Sequence, residues 1–130
     1  MKDQELITLA AEARRKAYAP YSQYAVGAAL LTASGKVFTG VNVENSSYGL
    51  SICAERTAAF KAVSEGEREF RAIAVVTENG GTPCGACRQV LSEFGPDMRV
   101  LIGDAAGKYQ AYRLPELLPA SFGPNQLPKK

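Results

Sequence analysis

Val26-Gly27-Ala28-Ala29-Leu30-Leu31-Thr32-Ala33 is a run with no charged side chain and no apolar/polar alternation. A strand with one wet face would alternate, so this run predicts a strand buried on both faces. Such a strand needs a helical layer above it and another below. The small residues Gly27, Ala28 and Ala29 predict a helix packed closely against it. Ser34-Gly35 ends the run in a turn, and Lys36 to Val43 returns as a second strand, making a hairpin. Toward the N-terminus, Asp3 is the expected cap of a helix running to about Ala17, with Leu6, Ile7, Ala10, Ala13 and Ala17 on its apolar face. Tyr18-Ala19-Pro20-Tyr21-Ser22 breaks that helix. Toward the C-terminus, Ser51 is the expected cap of a helix from about Ile52 to Glu65, with Gly66 past its end. A buried strand follows from Ala72 to Thr77. Thr82 as cap and Pro83 as first helical residue predict the next helix, which stops at Phe94 before Gly95-Pro96. Strands from Met98 to Ile102 and Tyr109 to Tyr112, then a short helix over Leu114 to Leu118, complete the pattern. This order predicts an α/β fold: a three-layer α/β/α sandwich with a mixed five-stranded sheet, forming a single domain over residues 1–130.

With 46% hydrophobic and 22% charged residues the composition is globular, and 130 residues are enough for a real core. The net charge of +2 gives no electrostatic case for nucleic acid. The basic clusters Arg14-Arg15-Lys16 and Lys129-Lys130 read as solvated surface. No apolar segment has the length to span a bilayer, so no membrane partner is expected. Met1-Lys2-Asp3-Gln4-Glu5 lacks the apolar core of a signal peptide, and the expected location is the cytoplasm.

The chemistry concentrates in Cys53-Ala54-Glu55 and Pro83-Cys84-Gly85-Ala86-Cys87. These three cysteines are the only ones, and there is no histidine to compete for a metal. An odd count with a CxxC favours metal binding or thiol chemistry over a disulfide framework. Three thiolates fill three corners of a zinc tetrahedron and leave the fourth open, as catalytic zinc requires; a structural site closes all four with protein ligands. Each motif falls at an expected helix start, where unpaired N–H groups and the helix dipole favour thiolate. Glu55 beside the first cysteine offers the acid/base that a zinc-activated water needs. A CxxC alone also suits a redox pair, but that reading leaves Glu55 idle. Zinc with three thiolates carries net negative charge, which works against acidifying water; Arg56 is the candidate to offset it by donating to sulfur.

Asn42 and Glu44, at i and i+2 near a strand end, project an amide and a carboxylate to one side, suited to sugar hydroxyls, with Val41 and Val43 turned to the core. Their segment is also rich in turn formers, and spacing alone does not choose between the two readings. Tyr24 and Phe122 are candidate surfaces for stacking on a planar base, although composition does not select them over Phe38 or Phe60.

Together, the stretches Tyr18 to Ser22, Val26 to Leu30, Gly40 to Asn45, Cys53 to Arg56 and Pro83 to Gln89 resemble the small homotetrameric cytidine deaminases, a likeness that continues through Leu117 to Phe122. Zinc deaminases of the three-cysteine type use a glutamate that is not a ligand as acid/base. The resemblance implies that Cys53, Cys84 and Cys87 bind one Zn2+ per subunit. It implies that Glu55 shuttles the proton while zinc-bound hydroxide attacks C4 of cytidine or 2′-deoxycytidine, giving the uridine and ammonia in pyrimidine salvage. It assigns Asn42 and Glu44 to the ribose, chiefly its 3′-hydroxyl. Tyr24, Phe122 and Ala54 join them in holding substrate. Arg56 becomes the charge-balancing residue. Phe122 is expected to reach the site of a neighbouring subunit in a homotetramer, with Tyr48 near a subunit boundary. The family usually carries phenylalanine where this chain has Tyr24, which adds a hydroxyl needing a partner. A blasticidin S-type deaminase is the enzymatic alternative.

Overall fold

The computed structural model describes residues 1–128, so the basic pair Lys129-Lys130 lies outside the described residues. Helix α1 (Asp3–Arg14) leads into the hairpin of β1 (Gly27–Thr32) and β2 (Val37–Val41). Helix α2 (Ala54–Ser64), β3 (Phe70–Val76), α3 (Gly85–Phe94), β4 (Arg99–Gly103), β5 (Tyr109–Arg113) and α4 (Leu114–Leu117) follow, with short 3-10 turns at Tyr48–Leu50 and Pro124–Gln126. One five-stranded sheet runs β2-β1-β3-β4-β5. Only β3 and β4 pair in parallel, across the α3 crossover; the other neighbours are antiparallel.

Every residue of β1 is buried, as a strand covered on both faces must be. Successive side chains point to opposite faces. Ala28, Leu30, Ile73, Val75, Val100 and Ile102 pack against α2, α3 and α4. Ala29, Leu31, Ala72, Ala74, Val76 and Leu101 pack against Leu6, Ile7 and Ala10 of α1. The result is the three-layer α/β/α sandwich. Two glycines allow the helices to approach the sheet. A Cβ on Gly27 would lie 2.5 Å from the Arg14 nitrogen, and one on Gly40 the same distance from the Ala58 nitrogen.

Several element boundaries differ from expectation. Lys2, not Asp3, caps α1, because the Lys2 N–H is taken by Glu5 Oε1 at 2.9 Å. Asp3 instead pairs with Arg99 at 2.7 Å, and α1 ends at Arg14, short of Ala17. Arg14 is not free surface: its Nε donates to the Ala25 carbonyl at 2.9 Å. Ser51 does not cap α2; its hydroxyl accepts the Asn45 N–H, and Ile52 stays extended to pair with Val43. Cys53 takes the capping position. Thr82 and Pro83 likewise lie before α3, which Cys84 caps, because Arg88 folds back onto the Thr82 hydroxyl and the Pro83 carbonyl. Strand β2 stops at Val41, and Val43 is 45% exposed rather than in the core. Beyond Val41 the regular ladder gives way to isolated bridges of Val43 with Tyr18 and Ile52.

Gly27 pairs with both Val41 and Val76, so the start of β1 and the ends of β2 and β3 meet at one edge of the sheet. The segments 20–26, 42–53 and 77–84 therefore leave the sheet side by side. Among the described residues, no helix is long and apolar enough to cross a membrane.

Candidate active site

Those three segments enclose a pocket of about 300 Å³ whose lining includes Tyr24, Asn42, Glu44, Cys53, Glu55 and Cys84. Larger grooves lie elsewhere on the surface, but they contain neither a cysteine nor Glu55. Cys53 and Cys84 each sit at the capping position of a helix and make no side-chain capping bond, which leaves their sulfurs free. Cys87, two residues into α3, is buried beneath them. The Cys53 and Cys84 sulfurs are 3.7 Å apart and those of Cys84 and Cys87 3.4 Å; all three ligand atoms lie within 4.8 Å of one another. A tetrahedral zinc with bonds of about 2.3 Å needs sulfurs about 3.8 Å apart, so the donor set fits that ion. Among the described residues, no fourth cysteine or histidine is available to close the site, which leaves one corner open.

Without metal the thiols of Cys53 and Cys87 are shifted in opposite directions. The Cys53 thiol is drawn down to about 5, first by the hydrogen bond from Cys87 and then by Arg56. Cys87, as the donor to Cys53, is pushed up, and burial adds to the effect. Arg56 Nη2 donates to Cys53 Sγ at 3.5 Å, and this bond raises the pKa of the guanidinium further. Arg56 Nε is buried with no partner among the described residues.

Glu55, in the first turn of α2, is only 4% exposed yet faces the pocket. Burial raises its carboxyl to about 7, and the neighbouring Cys53 thiolate pushes the same way. A carboxyl that exchanges its proton near neutrality can act as both acid and base. Ala54, between Cys53 and Glu55, is fully buried as the first residue of α2.

Asn42 and Glu44 do line the same pocket, and both are already anchored. Asn42 Oδ1 accepts the Val26 N–H and its Nδ2 donates to the Tyr24 carbonyl, each at 2.9 Å. The amide thus keeps one hydrogen and one lone pair for a ligand. Glu44 accepts the N–H groups of Tyr21 and Ser22 and the Ser22 hydroxyl, which hold its carboxyl below the usual range, the hydroxyl contributing most. Tyr24 forms one wall. Phe122 does not enter this pocket; it is 58% exposed, and its carbonyl accepts from Gln89 Nε2 at 2.9 Å. Tyr48 is 75% exposed and lies against Tyr21 with ring centroids 5.8 Å apart.

Sequence reasoning missed three supports. Ser22 holds Glu44, and only its place in the Pro20-Tyr21-Ser22 break hinted at it. Arg88 ties Pro83 to the Leu117 carbonyl, at 2.8 and 2.7 Å, and so fixes the entry to α3. Thr77, just past β3, accepts the Gly81 N–H at 2.7 Å. Nothing local in the sequence marks the last two.

Comparison with known proteins agrees with this geometry. Residues 1–103 match the family model described as the cytidine and deoxycytidylate deaminase zinc-binding region. A cytidine deaminase of Halalkalibacterium halodurans is 54% identical over 125 residues, covering 94% of this chain and 95% of that protein. The crystal structure of cytidine deaminase from Burkholderia pseudomallei is 53% identical, with a TM-score of 0.90 over 94% of this chain and all of that one (100%). A Bacillus cereus blasticidin-S deaminase is more distant, at 31% identity over 95% of this chain and 94% of its own length. A buried carboxyl beside three converging sulfurs is thus carried on a scaffold shared with these proteins, and the chain belongs to the cytidine and deoxycytidylate deaminase family.

Proposed function

We propose that the protein is a zinc-dependent cytidine deaminase that converts cytidine and 2′-deoxycytidine, with water, to uridine and 2′-deoxyuridine plus ammonia. The observation that carries this reading is the buried Glu55 carboxyl lining the same pocket as Cys53 and Cys84. Cys53, Cys84 and Cys87 hold one zinc ion per chain, and when bound it supplies Lewis-acid activation of water for attack at C4 of the cytosine ring. Glu55 takes the proton released by the attacking water and delivers it to N3. Glu55 then takes the proton of the new C4 hydroxyl as C4=O forms and passes it to the amine, so ammonia leaves and the carboxylate is regenerated. Arg56 donates to Cys53 and offsets the negative charge of three thiolates. Asn42 and Glu44 hold the ribose with the capacity their backbone anchors leave free, and Tyr24 walls the base. Ala54, at the start of α2, presents its backbone to the substrate.

The same proposal makes residues 1–130 one domain working as a homotetramer in the cytoplasm, in pyrimidine salvage. Phe122 reaches the pocket of a neighbouring copy, and Tyr48 lies near a subunit boundary. The exposure of Phe122 outside its own chain's pocket supports that reading, as does the exposed apolar group Tyr18, Tyr21, Val43, Tyr48 and Leu50.

Ultraviolet absorbance of the zinc-loaded protein with cytidine, deoxycytidine and blasticidin S tests the assignment. Turnover of both nucleosides, with the antibiotic untouched, is expected. Turnover of blasticidin S alone would move the chain to the rival activity.

A further inference from the structure

Tyr24 does more than present a ring to the pocket. Its hydroxyl donates to Asn79 Oδ1 at 2.6 Å, across 55 positions of sequence. Thr77 Oγ1 donates to the same oxygen at 3.5 Å and accepts the Gly81 N–H at 2.7 Å. The hydroxyl therefore joins the 20–24 segment, which Glu44 holds through Ser22, to the 77–82 segment that leads into α3 and its cysteines.

Gly81 supplies an independent observation. A Cβ built there would collide with the Tyr24 hydroxyl oxygen, while the ring carbon Cζ would sit at 3.5 Å, ordinary contact. The neighbouring Gly80 needs glycine for its backbone, at φ +79°, but Gly81 has no left-handed φ. The hydroxyl is thus what excludes a side chain at position 81.

We propose that the Tyr24 hydroxyl is a positioning latch for the substrate pocket: it holds the 77–82 wall in place through Asn79, and Gly81 is the residue that makes room for it. The proposal deepens the nucleoside-deaminase reading and rests on it. A wall already held in its binding geometry does not have to be ordered when substrate arrives. Without the latch that cost appears in binding, so KM rises while kcat changes little. Tyr24→Phe keeps the ring and loses one hydrogen bond, which raises KM about fivefold. Asn79→Ala cuts the same link from the other side. The two together should do no more than the larger single change.

The deciding experiment is a cycle of Tyr24→Phe, Gly81→Ala and the double variant in the zinc-loaded enzyme, read by KM and kcat for cytidine and by the thermal midpoint without substrate. Gly81→Ala alone is expected to raise KM by about tenfold or more and to lower the midpoint, because the methyl group meets the hydroxyl. In the Tyr24→Phe background the methyl group fits, and both readouts should return to those of Tyr24→Phe alone. Losses that multiply in KM and add in the midpoint would overturn the latch. A coupled midpoint with uncoupled KM would also overturn it, since the contact would then be structural only. The midpoint cycle needs no turnover. A parent protein that binds zinc but leaves cytidine unchanged would therefore contradict the substrate assignment, separately from the latch.

Discussion

Glu55 is the residue to which the proposed reaction assigns the proton transfer, and its burial makes a consequence measurable without substrate. In the metal-free protein its carboxyl is raised from the ordinary 4.5 to about 7. The folded chain then keeps a proton that the unfolded chain releases over that interval. Its stabilising contribution is complete below about pH 4.5 and is lost as pH rises through about 7. Glutamine cannot lose that proton. Metal-free Glu55→Gln should therefore match the parent near pH 4.5 and exceed it above pH 7 by roughly 3 kcal/mol at most. The Cys53 thiol, drawn down to about 5, acts in the opposite sense but is present in both proteins. Denaturant midpoints with a chelator from pH 4.5 to 8 check this; a difference independent of pH would mean that Glu55 titrates normally. The three converging cysteines and the carboxyl beside them were legible in the sequence because residue type and spacing are local properties. Their supports were legible only in part. The Arg56 contact to Cys53 was expected from charge balance, but the Ser22 contact to Glu44 depends on where the chain turns, and the Tyr24–Asn79 bond joins segments far apart in sequence.

Among the elements, the unbroken apolar run of β1 announced burial on both faces, and every residue of the strand is buried. The helix starts were harder. Local capping rules favoured Ser51 and Thr82, yet both hydroxyls serve other partners, and each helix begins after a cysteine. Tertiary contacts outcompeted propensity at the two places where the site is built. Helix α2 is seated by Gly40, where a Cβ would strike the Ala54 carbonyl and crowd Ala58. Because Ala54 lies between Cys53 and Glu55, Gly40→Ala should cost about 3 kcal/mol in unfolding free energy and lower turnover as well. Chemical denaturation and a cytidine assay on the same preparation check both. An unchanged midpoint would mean that α2 has slack against the sheet.

For the whole molecule, the decisive arrangement is the sheet edge where the start of β1 and the ends of β2 and β3 coincide. It gathers the ribose-binding candidates from one segment, the tyrosine wall from another, and the sulfurs from two helix starts. That the sheet is mixed could be anticipated from the alternation of elements, though its strand order could not; the parallel β3–β4 pair follows from the α3 crossover between them. Composition alone could not single out the exposed aromatics, because an apolar residue reads as core until the fold leaves it uncovered; only the family resemblance pointed to Phe122 and Tyr48. The proposed reaction needs a metal held by cysteines and a proton moved by a glutamate that is not a ligand. Zinc content and cytidine turnover measured together on Glu55→Gln test that division most directly. One zinc per chain retained, with turnover lower by about three orders of magnitude, is the predicted result. Turnover within tenfold of the parent, with zinc retained, would contradict it.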